Sequence, residues 1–180
     1  GDHLYLHSFP TRRSSDLFLF YSEKKINQRD DEKKWSIAEN IAHLVIVNDS
    51  YLSQLEKTIS NLSSDENSSG LEINKSFLGR IFLRINNPNS KMRYKTPKIF
   101  IPAIQHNDNS IIEKFLQSNE KLILLAEKFS LSNLSDVKVS SPLNSLIKFN
   151  IADIYLIINY HNERHLRQAK RVFEKLEYGK

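Results

Sequence analysis

The segment His161-Asn-Glu-Arg-His165 contains two histidines four residues apart. In a helix this spacing places both side chains on one face, where two imidazole nitrogens can bind a single metal ion at about 2.0–2.1 Å. The pair continues an apolar row that starts at Ile151 and repeats at heptad-like spacing. The pattern therefore predicts that both imidazoles point into the protein interior, where each needs a polar partner.

His43 is a candidate third ligand. It lies among apolar residues over 41–47, so we expect its helix to be central in the fold. On a helical wheel His43 shares a face with Ser36, Asn40 and Ser50. That face is either a polar cavity wall that carries a ligand or the solvent side of the helix, and the spacing alone leaves both interpretations open.

Composition limits the chemistry that this protein can perform. Its 180 residues include no Cys, so the chain offers neither a thiolate ligand nor a cysteine nucleophile. No apolar run approaches the ~18–20 residues that cross a bilayer, which predicts a cytoplasmic protein without a membrane partner. The net charge of +5 raises the question of nucleic-acid binding. The basic cluster Lys91–Lys95 has no accompanying helix-turn-helix or RNA-binding motif, so we do not expect a nucleic-acid partner.

Helical periodicity dominates the chain after residue 34. The residues Ser36-Ile-Ala-Glu39 and Ser110-Ile-Ile-Glu113 both have the form of a capping box, which marks a helix start. The predicted elements are a helix from Ser36 to about Ile59, a shorter helix from Leu71 to Leu83, an extended connection over 91–107, a helix from Ser110 to about Lys128, a loop over 130–149, and a helix capped by Asn150 that ends near Leu176. These elements predict an all-α four-helix bundle that still requires a first helix at its N-terminus.

The N-terminal residues supply that first helix poorly. The peptide Ser8-Phe-Pro-Thr-Arg-Arg-Ser-Ser-Asp-Leu17 matches the translation of TCT TTC CCT ACA CGA CGC TCT TCC GAT CT, the tail of a common short-read sequencing adapter. We therefore expect residues 1–17 to be a non-native, adapter-derived segment and residues 18–180 to be the metal-binding domain, with its first helix truncated or replaced. Loss of that helix would expose apolar surface and favour a homodimer.

Two separated segments carry a family resemblance. Trp35-Ser-Ile-Ala-Glu-Asn-Ile-Ala-His-Leu44, followed by Asn48 and Tyr51, and the later His161-Asn-Glu-Arg-His-Leu-Arg-Gln168 resemble the hallmark segments of the DinB-like superfamily. That superfamily includes S-transferases that depend on bacillithiol or mycothiol. The resemblance spans residues 22–176 and implies a four-helix bundle that binds a divalent metal through His43, His161 and His165. His106 has no counterpart in these segments, and we interpret it as an ordinary loop histidine.

The implied three-histidine site leaves coordination positions open, as catalytic rather than structural zinc sites do. The cofactor would be a divalent metal ion, Zn or Ni first, with Co, Fe or Mn also compatible with nitrogen ligands. The resemblance implies a metal-dependent transferase that joins a low-molecular-weight thiol to an electrophilic substrate. A metal-dependent hydrolase and a non-catalytic metal-binding bundle are the alternatives. Glu163 is predicted to face solvent, so the sequence identifies no catalytic base.

Overall fold

The computed structural model describes residue 18 and residues 21–60, 76–90, 94–103, 108–130 and 137–179. Its elements in chain order are α1 (Glu23–Asn27), α2 (Ile37–Ser60), α3 (Phe77–Asn86), a 3-10 turn (Lys98–Phe100), α4 (Ser110–Ser130), β1 (Lys138–Ser141), β2 (Asn144–Asn150) and α5 (Ile151–Tyr178). The fold is a helical bundle with one small hairpin among these residues, which confirms the predicted all-α class.

The helix that carries His43 begins at the predicted capping box. The Glu39 amide donates to Ser36 Oγ at 3.1 Å, and the Ser36 amide donates to Glu39 Oε2 at 2.8 Å. Every residue over 36–44 is buried, so the first part of α2 is enclosed on all sides. The face that His43 shares with Asn40 is therefore interior. This face is not the solvent side of the helix, which was one of the two interpretations of the sequence.

The starts of α4 and α5 have different outcomes. For α5 the prediction is confirmed, because Asn150 caps the helix and its Oδ1 accepts from the Asp153 amide at 2.7 Å. For α4 the predicted capping box is wrong. Ser110 is the first helical residue, and its amide donates to Asp108 Oδ1 at 3.0 Å, so the aspartate two residues earlier takes the capping position.

The region predicted as a loop over 130–149 contains a hairpin. Strands β1 and β2 pair antiparallel, with Lys138 opposite Asn150 and Val139 opposite Phe149. Val139 and Phe149 are buried, so this pair attaches the hairpin to the core. Helix α3 also differs from its prediction, since it begins after the cap Ser76 and extends to Asn86. Residues 71–75 of the predicted helix lie outside the described residues.

The core consists of two apolar clusters along the bundle. The α1 cluster takes residues from 37–44 of α2, 111–115 of α4 and 166–172 of α5, together with Phe18 and Ile26. The hairpin cluster takes residues from 47–55, 122–125 and 151–158 of the same helices. The α1 cluster contains the early residues of α2 and α4 but the late residues of α5, and the hairpin cluster shows the reverse. Helix α5 therefore runs antiparallel to α2 and α4. Buried polar side chains lie near the junction of the clusters: His43, Asn48, Ser118, Asn119, Asn162 and His165.

Two expectations fall outside the described residues. Residues 1–17 and His106 are not among them, so the adapter-derived segment and the loop histidine stay predictions. Phe18 is described as helical and is 1% exposed within the α1 cluster. Among the described helices, none combines the length and the apolar character needed to cross a membrane.

Candidate metal centre

The structure brings His43, His161 and His165 together. Each ring offers a nitrogen that lies within 4.8 Å of the corresponding nitrogens of the other two. The His43 ring centroid lies 4.5 Å from that of His165 and 5.0 Å from that of His161. His43 comes from α2 and the other two come from α5, so the antiparallel packing of these helices assembles the cluster.

Each of the three rings directs its Nδ1 atom toward an oxygen. His43 Nδ1 lies 2.7 Å from the Phe100 carbonyl oxygen, His161 Nδ1 lies 2.9 Å from Asn86 Oδ1, and His165 Nδ1 lies 3.1 Å from Asn40 Oδ1. A backbone carbonyl oxygen can only accept, so Nδ1 of His43 must donate. Neutral His43 then carries its lone pair on Nε2.

Burial keeps the three imidazoles neutral. It lowers the pKa of His43, although the Phe100 carbonyl partly opposes this shift. It lowers the pKa of His161 to about 3, with smaller contributions from His43 and Arg164. The pKa of His165 lies well below its ordinary value for the same reasons, with burial first. His161 retains partial exposure as a residue, but its ring is enclosed by protein atoms. Neutral imidazole is the form that binds metals.

The spacing of the nitrogens fits a divalent ion. His43 Nε2 and His161 Nε2 lie 2.9 Å apart. Two nitrogens at about 2.0–2.1 Å from one tetrahedral ion are separated by about 3.3 Å, so only small movements are required. Three neutral imidazoles are also a donor set that zinc, nickel, cobalt and iron accept. The residues present therefore fit a metal ion.

The wall of the site is aromatic on one side. The Trp35 ring stacks on His165 with a centroid distance of 5.8 Å and lies 4.9 Å from the His43 ring. Glu163 forms an ion pair with Arg167, and its side chain is 38% exposed, so it faces away from the cluster as expected. In the described part of the chain, the ligand-type cluster contains histidines alone.

Sequence reasoning missed the three groups that contact the Nδ1 atoms. Asn40 lies three residues before His43 on the same face of α2, which was a usable signal. Asn86 lies beyond Leu83, the predicted end of its helix, where no ligand partner was expected. The Phe100 contribution is a backbone carbonyl, which no residue type can indicate.

The comparisons with known proteins agree with this geometry. A family model described as the DinB superfamily matches residues 11–169, a range that includes all three histidines. Neither the curated proteins nor the solved structures yield a match to the chain.

Proposed function

Because the chain belongs to the DinB superfamily, we propose that it is a metal-dependent transferase that joins a low-molecular-weight thiol to an electrophilic small molecule. One observation carries the proposal: His43 Nε2 and His161 Nε2 lie 2.9 Å apart, while His43 Nδ1 is committed to the Phe100 carbonyl oxygen. Two imidazoles in this arrangement are suited to share a cation.

The ligands would be His43, His161 and His165, with Zn or Ni as the first candidates and Co, Fe or Mn as others. When bound, such an ion acts as a Lewis acid that produces a nucleophile at neutral pH from a thiol or from water. The three rings would hold the ion in the interior, and Trp35 covers the His165 side of the site.

The lack of a carboxylate beside the described histidines favours a thiol over water as the nucleophile, since hydrolysis would use such a group as a base. The chain contains no Cys, so the sulfur would come from a small cosubstrate. A thiol cosubstrate also suits the cytoplasm, which we propose as the location, because thiols are kept reduced there.

The decisive experiment measures metal content and thiol transfer in the same variants. His161→Ala, like His43→Ala and His165→Ala, should lose most bound metal and most conjugation of a bimane electrophile across a panel of small thiols. The three losses should not add, because the ligands act as one unit. Glu163→Gln and His106→Ala are the controls and should retain both properties.

Equal metal content in His161→Ala and His106→Ala would contradict the three-histidine site. Retained metal without turnover with any thiol would instead favour the non-catalytic bundle. Hydrolysis of ester or amide probes that disappears in His161→Ala would favour the hydrolase.

A further inference from the structure

We propose that Asn40 and Asn86 are positioning residues that fix the imidazole tautomers of His165 and His161. Each asparagine holds the proton of its histidine on Nδ1, so that Nε2 presents a lone pair to the metal. The inference rests on the metal-binding role proposed above and identifies the residues that prepare the site for it.

The orientation of the Asn40 amide is determined by its own helix. Asn40 Nδ2 donates to the Ser36 carbonyl oxygen at 2.8 Å, and the Trp35 carbonyl oxygen lies 3.4 Å away. This leaves Oδ1 as the atom that faces His165 Nδ1 at 3.1 Å. An amide oxygen can only accept, so the hydrogen of His165 lies on Nδ1. Asn40 is 1% exposed, and water therefore does not compete for this bond.

Asn86 is oriented by the same logic. Its Nδ2 donates to the Phe82 carbonyl oxygen at 2.9 Å, which directs Oδ1 toward His161 Nδ1 at 2.9 Å. Arg164 supports this end of α3, because its Nη1 donates to the Ile85 carbonyl oxygen at 3.1 Å. Arg164 and His161 are three residues apart on α5. The same helix therefore carries the proposed ligand His161 and the arginine that holds Asn86 near it.

The consequence is that the Nε2 lone pairs of His43 and His161 face each other with no proton between them. With Nδ1 of His43 donating to the Phe100 carbonyl oxygen and Nδ1 of His161 donating to Asn86, neither Nε2 carries a proton. The two Nε2 lone pairs nevertheless lie 2.9 Å apart. A shared cation would relieve this repulsion, and Asn86 prevents His161 from relieving it by moving its proton to Nε2.

The test combines two measurements on folded protein. Long-range proton–nitrogen NMR spectra of the metal-free protein identify the tautomer of each imidazole, and competition with a chromophoric chelator gives the zinc affinity. In the wild type, His161 and His165 should be Nδ1–H tautomers. Asn40→Leu should release His165 from this tautomer and weaken zinc binding by about 10- to 100-fold, as loss of a group that hydrogen-bonds a metal ligand does.

Asn86→Leu should do the same to His161, whereas Asn86→Asp keeps an acceptor and should restore both the tautomer and the affinity. The matched control is Asn48→Leu. Asn48 is a buried asparagine on α2, and it bonds to Ser118 and Asn119 instead of a histidine. That variant should lose stability while it retains wild-type tautomers and zinc affinity.

An Nε2–H tautomer at either histidine in the wild type would overturn the inference. So would an Asn40→Leu protein that binds zinc as tightly as Asn48→Leu. If Asn40→Leu does not fold, the comparison of Asn86→Leu with Asn86→Asp tests the inference, because Asn86 is only partly buried. Wild-type protein with the expected tautomers and no zinc affinity would contradict the proposed function and leave the tautomer assignment supported.

Discussion

Glu39 connects the start of α2 to the chain before it. Its carboxylate accepts from the Ser36 amide and from Arg29 Nε, both at 2.8 Å, and the residue is 6% exposed. Burial opposes the charge, but the bonds from Arg29 and Ser36 outweigh it, so the pKa of Glu39 is lowered. The carboxylate lies four residues before His43 and fixes the turn from which that ligand projects.

The lowered pKa of Glu39 predicts a specific pH dependence. A depressed acid contributes stability that is present above its unfolded pKa of about 4.3 and is lost as pH falls through the lower folded value. Glu39→Gln should therefore lower the free energy of unfolding at pH 7 by about 1–3 kcal/mol and flatten its decline below pH 5. Urea denaturation between pH 3 and 7 measures both effects.

The control for Glu39 is Glu163→Gln, which removes an exposed ion pair with Arg167. It should change the free energy of unfolding by less than about 0.5 kcal/mol. Identical acid dependence in wild type and Glu39→Gln would contradict the assignment.

At the level of elements, α3 is the support for His161. Its N-cap Ser76 accepts from the Gly79 amide at 2.9 Å, and the Ser76 amide donates to Asp153 Oδ2 at 3.1 Å. Asp153 is fully buried at the start of α5, and a β-carbon on Gly79 would overlap its carboxylate. The close approach of α3 to α5 therefore requires glycine at residue 79, and the other end of α3 carries Asn86.

Gly79→Ala tests this link between packing and the site. Alanine normally stabilises a helix interior by about 1 kcal/mol relative to glycine. Here the overlap with Asp153 should reverse the sign and lower the free energy of unfolding by about 1–3 kcal/mol. Zinc affinity should fall as well, because displacement of α3 moves Asn86 away from His161. Thermal melts and chelator competition measure the two effects.

Arg80→Ala is the matched control for Gly79→Ala, since Arg80 follows Gly79 on α3 and its side chain is exposed. It should leave stability within about 0.5 kcal/mol of wild type and leave zinc affinity unchanged. A Gly79→Ala protein that is more stable than wild type would show that α3 can move away from α5 without loss.

Across the whole molecule, the histidine cluster lies near the junction of the α1 cluster and the hairpin cluster. His43 comes from α2, whereas His161 and His165 come from α5, and their partner groups come from α2, α3 and the 3-10 turn. A bound ion would therefore join helices that are distant in the chain. The unfolded chain cannot hold the three rings together, so metal binding should stabilise the fold.

Zinc should raise the melting temperature of the metal-free protein by mass action. At a free concentration of about 100 times Kd, the gain is about 2.7 kcal/mol, or about 5–10 °C for a chain of this size. Excess chelator should reverse the shift, which differential scanning calorimetry can follow. His165→Ala should show no zinc-dependent shift, and an unchanged wild-type melting temperature in both conditions would contradict a preformed site.

Local patterns in the sequence determined the parts of this structure that depend on neighbouring residues. The Ser36 capping box, the Asn150 cap and the shared face of His161 and His165 all involve residues within four positions of one another. The energy of such features is set by helix geometry, so they could be predicted. The local signal at Ser110 failed because Asp108, two residues earlier, offered the helix a competing cap.

Tertiary structure decided whatever depends on groups far apart in the chain. Residues 138–150, which include much of the predicted loop, form a hairpin because Val139 and Phe149 pack in the core. Asn40 reaches His165 across 125 residues, and the Phe100 carbonyl reaches His43 across 57. A buried ring must satisfy both nitrogens, but which oxygen satisfies Nδ1 depends on the packing of separate elements. The choice of tautomer at each histidine is therefore a property of the folded bundle and of no single segment.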